Sequence, residues 1–303
     1  MEILKQRLVP VTLKYMRSLN ARLKLTDKER LYYSNLEKGY AGELIFDQLL
    51  LTNLSLNCLV LNDILLESNN NEFQNDTFLF SQNTLYQFEV KNFEGDFYIE
   101  ENKWYAVPKF DIKNPLIQLE RNETLFRQFA KELGIQITIK PYLIFVNPHF
   151  HLYHAPRNQQ IIFPTQLKRF LHKLNRTSST LTDVHYRIAE EILSHHINVS
   201  KNMKIPEYSY DSLAKGMLCG PCHSLTTEYK EDKLVCKRCG HFEDIESAIT
   251  RAVNELIFLF PDIKITVKLV SDWCNVIKSK KKIRRILMKN YKLLRHGQSS
   301  YYI

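Results

Sequence analysis

A chain of 303 residues with 44% hydrophobic and 12% aromatic content can bury a sizeable core and is long enough for two or three domains. No apolar run reaches the roughly 18 residues that a bilayer span needs, and the first residues lack the compact apolar segment of a secretory signal, so we expect a globular, cytoplasmic protein with no membrane partner. The net charge of +9 lies mostly in the last third, where residues 201–303 contain 19 Lys or Arg against 11 acidic residues and favour a polyanionic partner, most simply nucleic acid.

The first predicted elements are a helix and a series of strands. Residues 28–50 have the spacing of a helix, and the small residues Gly39 and Gly42 permit close packing on a neighbour. The predicted apolar side of this helix contains Leu36, Tyr40 and Leu44. Strand-like runs follow at about 58–66, 73–81, 84–91 and 96–107, separated by short polar turns, and predict a meander.

The middle of the chain alternates between helical and strand patterns. A helix is predicted between Pro115, near its start, and Gly134, which would stop it. The run ITIKPYLIFVN predicts a buried strand, and residues 164–198 predict two further helices. Residues 199–215 have the composition of a linker.

One predicted strand has an acidic side chain and a lysine on the same face. Side chains alternate along LYQFEVKNF, so Glu89 and Lys91 project together. Asp76 lies on the preceding strand of the hairpin, and Glu43 lies in GYAGE on the preceding helix. Two carboxylates can hold a hard divalent cation such as Mg²⁺, and an adjacent lysine can position or activate the attacking water, as in a metal-dependent phosphodiesterase. For Glu89 and Lys91 alone, a solvated ion pair is the alternative.

Longer motifs around these residues resemble those of the NERD family, the nuclease-related domain. The resemblance covers roughly residues 36–150 and consists of GYAGE, FQNDTFLF, LYQFEVKNFEGDF, the following Trp104 and NPLIQLERNETLF. It implies a restriction-endonuclease-like α/β core, in which a mixed sheet is flanked by helices, and a site that cuts DNA with Mg²⁺ or Mn²⁺. The implied site residues are Glu43, Asp76, Glu89 and Lys91, with Gln74 as a neighbour.

The resemblance also implies a role for each site residue. Asp76 and Glu89 would be the metal ligands, Lys91 would position or activate the water, and Glu43 would support the metal or the water. Two positions depart from the family pattern: Asn75 replaces an apolar residue, and Gln87 interrupts an otherwise apolar strand. These departures leave open a non-catalytic alternative, in which the nuclease-like fold is a scaffold.

Four cysteines form a second, independent pattern. CGPC and CKRC are two CxxC pairs with 13 residues between them, which is enough for a hairpin, and they can supply four thiolates to one tetrahedral zinc ion. The predicted ligands are Cys219, Cys222, Cys236 and Cys239. A closed site of four thiolates predicts a structural role in a zinc ribbon. His223 and His241 follow the two pairs and are predicted to be solvated.

The last segment predicts three helices followed by a short hairpin with Gly297 at its turn, an order typical of a winged helix-turn-helix. Its third helix is strongly basic, and we expect contacts with DNA phosphates from Lys280, Lys281, Lys282, Arg284 and Arg285. A protein-binding winged helix and a solubilising basic tail are the alternatives.

The sequence therefore predicts a nuclease-like domain at 1–198, a linker at 199–215, a zinc ribbon at 216–244 and a winged-helix module at 245–303. The predicted function is metal-dependent hydrolysis of DNA, and the alternative is a DNA-binding or regulatory protein without catalysis. No Gly-rich phosphate loop, nucleophile elbow or His-rich cluster occurs, which argues against a small-molecule enzyme. The form of the nucleic acid and the oligomeric state are not specified by these patterns.

Overall fold

The computed structural model of the chain describes residues 1–157, 160–295 and 300–303. The helices in these residues are α1 (Val11–Arg22), α2 (Asp27–Asn53), α3 (Pro115–Glu132), α4 (Leu167–Asn175), α5 (Asp183–Ser194), α6 (Ile245–Leu259), α7 (Val267–Cys274) and α8 (Lys280–Asn290), with a short 3-10 helix at Pro164–Gln166. None of the described helices is long and apolar enough to cross a membrane.

The strands lie mostly in the first two thirds of the chain. They are β1 (Glu2–Lys5), β2 (Leu59–Ser68), β3 (Asn71–Ser81), β4 (Thr84–Lys91), β5 (Gly95–Glu100), β6 (Lys103–Ala106), β7 (Phe110–Ile112), β8 (Thr138–Phe145), β9 (Phe150–Tyr153), β10 (Ile161–Ile162), β11 (Thr227–Lys230), β12 (Lys233–Cys236), β13 (Phe242–Asp244), β14 (Leu293–Leu294) and β15 (Tyr301–Tyr302).

The chain divides into two compact units. The first unit consists of Met1–Val11 and Asn35–Met203, and the second consists of Thr12–Ser34 and Lys204–Ile303. The segment predicted as a linker, 199–215, contains no helix or strand, but from Lys204 onward it belongs to the second unit. Residues 12–34 also belong to the second unit, although they lie within the predicted nuclease-like segment.

A six-stranded mixed sheet is the centre of the first unit. Its strand order is β1-β2-β3-β4-β8-β10, in which β2, β3 and β4 are antiparallel neighbours and the other pairs are parallel. Side chains of α2 and α4 pack on one face, and side chains of α3 and α5 pack on the other. The predicted α/β class, a mixed sheet flanked by helices, is confirmed.

The predicted meander is correct for three strands and wrong for the fourth. Residues 96–107 form two strands, β5 and β6, because Glu101 and Asn102 both have positive φ and make a tight two-residue turn between them. These strands pair with β7 and β9 in a separate four-stranded sheet, order β7-β6-β5-β9. Trp104 lies on β6 of this second sheet, and its side chain is buried among aromatic side chains.

Helix α2 packs on the main sheet through a different side from the one predicted. Its buried residues are Gly42, Phe46 and Leu50, whereas Leu44 is 43% exposed. Gly42 has a specific reason to lack a side chain, because a Cβ there would lie 2.4 Å from the Cβ of Asn92, directly after β4. The glycine therefore lets α2 approach the end of β4, next to Glu43.

The second unit has a helical core and two small sheets. Strands β11, β12 and β13 form a three-stranded antiparallel sheet, and β14 pairs with β15 in an antiparallel hairpin. Helices α6, α7 and α8 share one apolar core that includes the buried Trp273. The predicted order of three helices and a hairpin is present, while the predicted turn residue Gly297 lies outside the described residues.

Helix α1 completes this core from the start of the chain. Leu19 is fully buried in it, and the buried Arg22 pairs with Glu255 of α6 at 2.7 Å. The same guanidinium donates to the carbonyl oxygens of Ala214 and Gly216 and lies 3.9 Å from the centre of the Trp273 ring. A buried arginine with these partners ties α1 to both α6 and the segment before β11.

Candidate functional site

Strands β3 and β4 bring Asp76 and Glu89 together in the first unit, as the predicted hairpin requires. Both carboxylates are buried. Asp76 Oδ2 accepts a hydrogen bond from the backbone N–H of Val90 at 2.7 Å, which fixes its carboxylate against β4. Asp76 interacts electrostatically with Glu89, Lys91 and Glu43. The four predicted site residues are therefore close enough for their charges to interact.

Lys91 and Glu89 form a close pair that α3 supports. Lys91 Nζ lies 2.7 Å from Glu89 Oε1 and donates to Gln118 Oε1 at 3.0 Å. Asn122 Nδ2 donates to the other oxygen of Glu89 at 3.3 Å. The two amides were not predicted from the sequence. They lie four residues apart on α3, with Asn122 buried against the sheet and Gln118 exposed beside Lys91.

Arg7 joins Glu43 to the strands. This buried guanidinium donates to Glu43 at 2.7 Å, to both oxygens of Asp47, to the carbonyl of Asp76 and to the hydroxyl of Thr77. It follows β1, far from these partners in sequence, and no local pattern in the sequence marks it. Glu43 is therefore held near the site by its ion pair with the buried Arg7. The GYAGE motif alone did not predict this pairing.

Burial is the main influence on the carboxyl groups. It raises the pKa of Glu89 from 4.5 to about 7, with repulsion from Asp76 adding to the rise and Lys91 opposing it. Burial also raises the pKa of Asp76, and raises that of Glu43 even though Arg7 opposes the change. Burial acts against the charge of Lys91, but Glu89 and Asp76 hold its pKa above the ordinary value. The cations present therefore offset only part of the cost of burying the carboxylates.

The remaining predicted neighbour and the two departures lie on β3 and β4. The side chain of Gln74 is exposed and donates to Asp63 at 2.7 Å, so its backbone carbonyl, which accepts from Asn122, is its link to the site. Asn75 and Gln87 are both buried, and Gln87 Nε2 donates to Asn75 Oδ1 at 2.5 Å. The two polar departures thus partner each other across the hairpin.

The donor set suits a hard divalent cation at Asp76 and Glu89. Both groups supply carboxylate oxygens, which Mg²⁺ and Mn²⁺ prefer. Burial raises their pKa values, and a bound cation would favour the ionised form of each. In the described part of the chain, however, the four cysteines are the only group of three or more ligating residues whose atoms all lie within 4.8 Å of one another. A cation here would thus be held by two carboxylates rather than by a closed cage of three.

The four cysteines form a second candidate metal centre, in the second unit. Cys219 Sγ lies 3.6 Å from Cys239 Sγ, and Cys222 Sγ lies 3.6 Å from Cys236 Sγ. Zinc–sulfur bonds of 2.3 Å in a tetrahedron separate the sulfurs by about 3.8 Å, so these distances fit a zinc ion. The cluster is compatible with a zinc ribbon, and neither His223 nor His241 belongs to it.

Both CxxC pairs have the same local backbone geometry. The carbonyl of the first cysteine in each pair accepts from a residue with positive φ four positions later, His223 in one pair and Gly240 in the other. Burial acts to raise the pKa of the Cys236 thiol, but the backbone N–H groups of Cys239 and Arg238 lower it to about 7. In the second pair these amides favour the thiolate form of Cys236, whereas in the first pair burial raises the pKa of the Cys219 thiol, whose ionisation a bound zinc ion would favour.

The basic helix α8 differs from its prediction at one position. Four of its predicted DNA-contacting residues are exposed: Lys280, Lys281, Arg284 and Arg285. Lys282 is instead half-buried, and its ammonium pairs with Asp232 at the tip of the β11–β12 hairpin and donates to the Tyr229 hydroxyl. We assign Lys282 a contact within the second unit for this reason.

Comparison with known proteins gives one family. Residues 38–146 match the family model described as the nuclease-related domain, NERD. The matched segment contains Glu43, Asp76, Glu89 and Lys91, and it confirms the resemblance found in the sequence motifs. No curated protein and no solved structure matches the chain.

We expect the purified chain to contain one zinc ion per molecule, because the four sulfurs already lie at the spacing of a tetrahedral site. Elemental analysis after purification under reducing, chelator-free conditions measures this. Cys236→Ser should lose most of the zinc and make residues 216–244 sensitive to limited proteolysis. His241→Ala, which changes an exposed residue outside the cluster, is the matched control, and a zinc-free wild-type chain would contradict the assignment.

The raised pKa of Glu89 predicts that divalent-cation affinity depends on pH. Without the cation, folding favours the protonated carboxyl, so its contribution to stability is present below about pH 4.5 and is lost as the pH rises through about 7. Cation binding must displace this proton, so Mn²⁺ affinity should rise about fivefold from pH 6 to pH 7 and level off above pH 8. Calorimetry of the zinc-loaded chain, in buffers of different ionisation enthalpy, should detect proton release at pH 6 and little at pH 8.5. Glu89→Gln should weaken binding and remove most of this pH dependence.

Proposed function

We propose that the chain is a divalent-metal-dependent nuclease that hydrolyses DNA phosphodiester bonds and is held on DNA by basic residues of its second unit. The observation that carries the proposal is the group formed by the buried Asp76 and Glu89 and the half-buried Lys91, supported by α3 amides, inside the segment that matches the nuclease-related domain. A nuclease-related domain suggests interaction with nucleic acid, and the charge of the second unit favours the same partner.

In this proposal Asp76 and Glu89 hold the cation. A bound Mg²⁺ or Mn²⁺ would lower the pKa of water and stabilise negative charge on the phosphate. The hydrogen bond from the Val90 N–H orients Asp76, and Asn122 orients Glu89. Both carboxylates are thus fixed before substrate arrives, which reduces the reorganisation that catalysis requires.

Lys91 supplies a compact positive charge beside the carboxylates. Its contacts with Glu89 and Gln118 fix the ammonium, and the surrounding carboxylates keep it protonated. A protonated lysine can hold the attacking water by hydrogen bonding and stabilise the charge that develops on the phosphate. It acts as an electrostatic and orienting group rather than as a proton acceptor.

Glu43 has a supporting role in the proposal. Arg7 donates to it, so Glu43 is fixed in position and its charge is partly offset. Its electrostatic interaction with Asp76 lets it contribute negative potential at the cation position. We propose that Glu43 assists cation binding in this way, without direct contact with the reacting phosphate.

The exposed basic side chains of α8 would contact the DNA backbone. Lys280, Lys281, Arg284 and Arg285 are exposed on one helix, and contacts of this kind give affinity with little sequence preference. The three helices and the β14–β15 hairpin have the element order of a winged helix-turn-helix, in which the third helix lies on DNA.

A non-catalytic scaffold is the second candidate. The ion pairs Arg7–Glu43 and Lys91–Glu89, both at 2.7 Å, favour it, because a structural network of this kind needs no cation to compensate its charges. The position of Asp76 and Glu89 inside the segment that matches the nuclease-related domain favours the nuclease, because two carboxylates there can bind a divalent cation. Activity assays on site variants distinguish the two candidates.

Asp76→Asn should reduce Mg²⁺- or Mn²⁺-dependent DNA cleavage by about 100-fold or more, because it removes a cation ligand. DNA binding should remain, since the amide oxygen can still accept from Val90 and the basic helix is unchanged. Lys91→Ala should cause a loss of similar size, and Lys91→Arg should not restore activity because a planar guanidinium does not replace a compact ammonium. Labelled duplex, single-stranded and branched DNA, together with RNA, provide the assay.

Asp96→Asn is the matched control, because Asp96 is an exposed aspartate of the same unit outside the site. It should cut at the wild-type rate. A wild-type chain that cuts none of these substrates with either cation, or a Lys91→Ala chain that cuts as fast as wild type, would exclude the nuclease mechanism and favour the scaffold.

Replacing Lys280, Lys281, Arg284 and Arg285 by Gln should weaken DNA binding and flatten its salt dependence. Each lost phosphate contact lowers the slope of log affinity against log salt concentration by about 0.9 for duplex DNA. Fluorescence anisotropy at several salt concentrations measures the slope. Lys282→Gln is the control on the same helix, and it should change the slope less because Asp232 already holds that ammonium. An unchanged slope in the four-residue variant would argue against α8 as the DNA contact.

A further inference from the structure

The first unit contains a pocket on the opposite face of the main sheet from the candidate active site. Tyr86 and Glu89 both lie on β4 but are three residues apart, so their side chains project to opposite faces. Tyr86 packs with the apolar cluster that α2 and α4 cover, whereas α3 reaches Glu89 from the other side. The pocket is therefore separate from the carboxylate site and needs its own explanation.

The floor of this pocket is aromatic. Tyr86, Tyr142 and Phe170 line a cavity of about 820 Å³. The Tyr86 and Tyr142 rings are stacked with centroids 6.2 Å apart, and the Tyr142 and Phe170 centroids are 4.9 Å apart. Tyr86 and Phe170 are buried and Tyr142 is half-buried, so an entering ligand would meet ring surfaces at the base of the cavity.

The rim of the pocket is basic. Lys140, Arg157, Arg169 and Lys173 line it, and all four are exposed. Among the described residues that line the pocket none is acidic, and no carboxylate of the described residues pairs with these four cations. Lys140 Nζ lies 5.9 Å from the centre of the Tyr86 ring, which places a positive charge directly beside the aromatic floor. The pocket thus combines apolar ring surfaces with uncompensated positive charge.

We propose that this pocket binds a nucleotide unit, with the base against Tyr142 and Phe170 and the phosphate at Arg169 and Lys173. Aromatic floors accept bases of any identity because every base has a π-face, and basic rims hold the phosphates that follow. The cavity volume of about 820 Å³ lies within the range of pockets that bind small molecules, and it is larger than a few water molecules would fill. A base with its phosphate could come from a single strand of nucleic acid or from a free nucleotide.

The proposal goes beyond the nuclease proposal and does not depend on it. None of the described residues that line the pocket is a carboxylate, so nucleotide binding there needs no divalent cation and no cleavage. If the nuclease proposal is also correct, the pocket would give the first unit a hold on a strand away from the cutting site. If the chain is a scaffold, the pocket would still bind.

Photocrosslinking tests the proposal directly. The full chain with Asp76→Asn, which prevents cleavage, is irradiated with a thymidine pentamer containing 5-iodouracil, or with 5-iodo-dUMP, without added Mg²⁺ or Mn²⁺. Peptide mass spectrometry then locates the crosslink. We expect a crosslink at Tyr142 or Phe170 with at least one probe. If only the pentamer labels the pocket, the ligand is a strand of nucleic acid. If 5-iodo-dUMP labels the pocket at least as strongly as the pentamer does, the ligand is a free nucleotide.

Variants separate the two parts of the pocket. Tyr142→Ala should lower the crosslink yield about tenfold through loss of base stacking, and Tyr142→Phe should stay within about twofold of the parent chain. Arg169→Gln with Lys173→Gln tests the rim without changing a buried residue, and should also lower the yield several-fold. Lys168→Gln with Arg176→Gln is the control, because both residues are exposed, lie within or directly after the same helix and are not among the residues that line the pocket.

Two results would overturn the proposal. One is crosslinking of both probes only to peptides elsewhere, such as residues 280–290. The other is an unchanged yield at the pocket in both the Tyr142→Ala chain and the Arg169→Gln, Lys173→Gln chain. Loss of DNA cleavage in wild-type assays would leave these outcomes unaffected, so failure of the nuclease proposal and failure of the pocket proposal are distinguishable.

Discussion

Buried carboxylates on two neighbouring strands set the main physical constraint on the first unit. Removing Asp76, Glu89 and Glu43 from water costs free energy unless opposite charge and hydrogen-bond donors accompany them. Arg7 supplies part of this compensation by donating to Glu43, and its other four hydrogen bonds, to Asp47, the Asp76 carbonyl and Thr77, connect α2 to β3. The segment after β1, helix α2 and the hairpin must therefore assemble together, and Gly42 permits the close approach that this assembly needs.

The two candidate metal centres differ in the groups that stabilise their negatively charged ligands. The cysteines come from two short turns with the same backbone geometry, and backbone amides favour the thiolate form of Cys236. The carboxylates come from two strands and depend on side chains of α3 and on Arg7 for their orientation. The first site is thus determined mostly by local sequence, and the second is determined mostly by the tertiary fold.

This difference explains what the sequence could predict. The CxxC spacing, the β3–β4 hairpin and the common face of Glu89 and Lys91 follow from local geometry, whereas the mixed sheet was implied by the resemblance of the longer motifs to the nuclease-related domain. Arg7 was missed because its partners lie about 40 or 70 residues away, and no periodicity encodes such a contact. The prediction of the buried side of α2 was wrong because that side is set by tertiary packing. Asn92 leaves no room for a side chain at position 42, and its position depends on how α2 packs on the sheet.

The buried partners of α1 have a consequence for the order in which the chain folds. A ribosome synthesises α1 well before Glu255 and Trp273, which surround Arg22, and 233 positions separate Arg22 from Glu255. Until these later residues are synthesised, Leu19 lacks the apolar core of α6, α7 and α8 on which it packs. The whole first unit can form before α1 is buried in that core. Such a contact between distant parts of the sequence closes late and slowly. A nascent or truncated chain would expose this helix, and the second unit should become protected only after the last helices leave the ribosome.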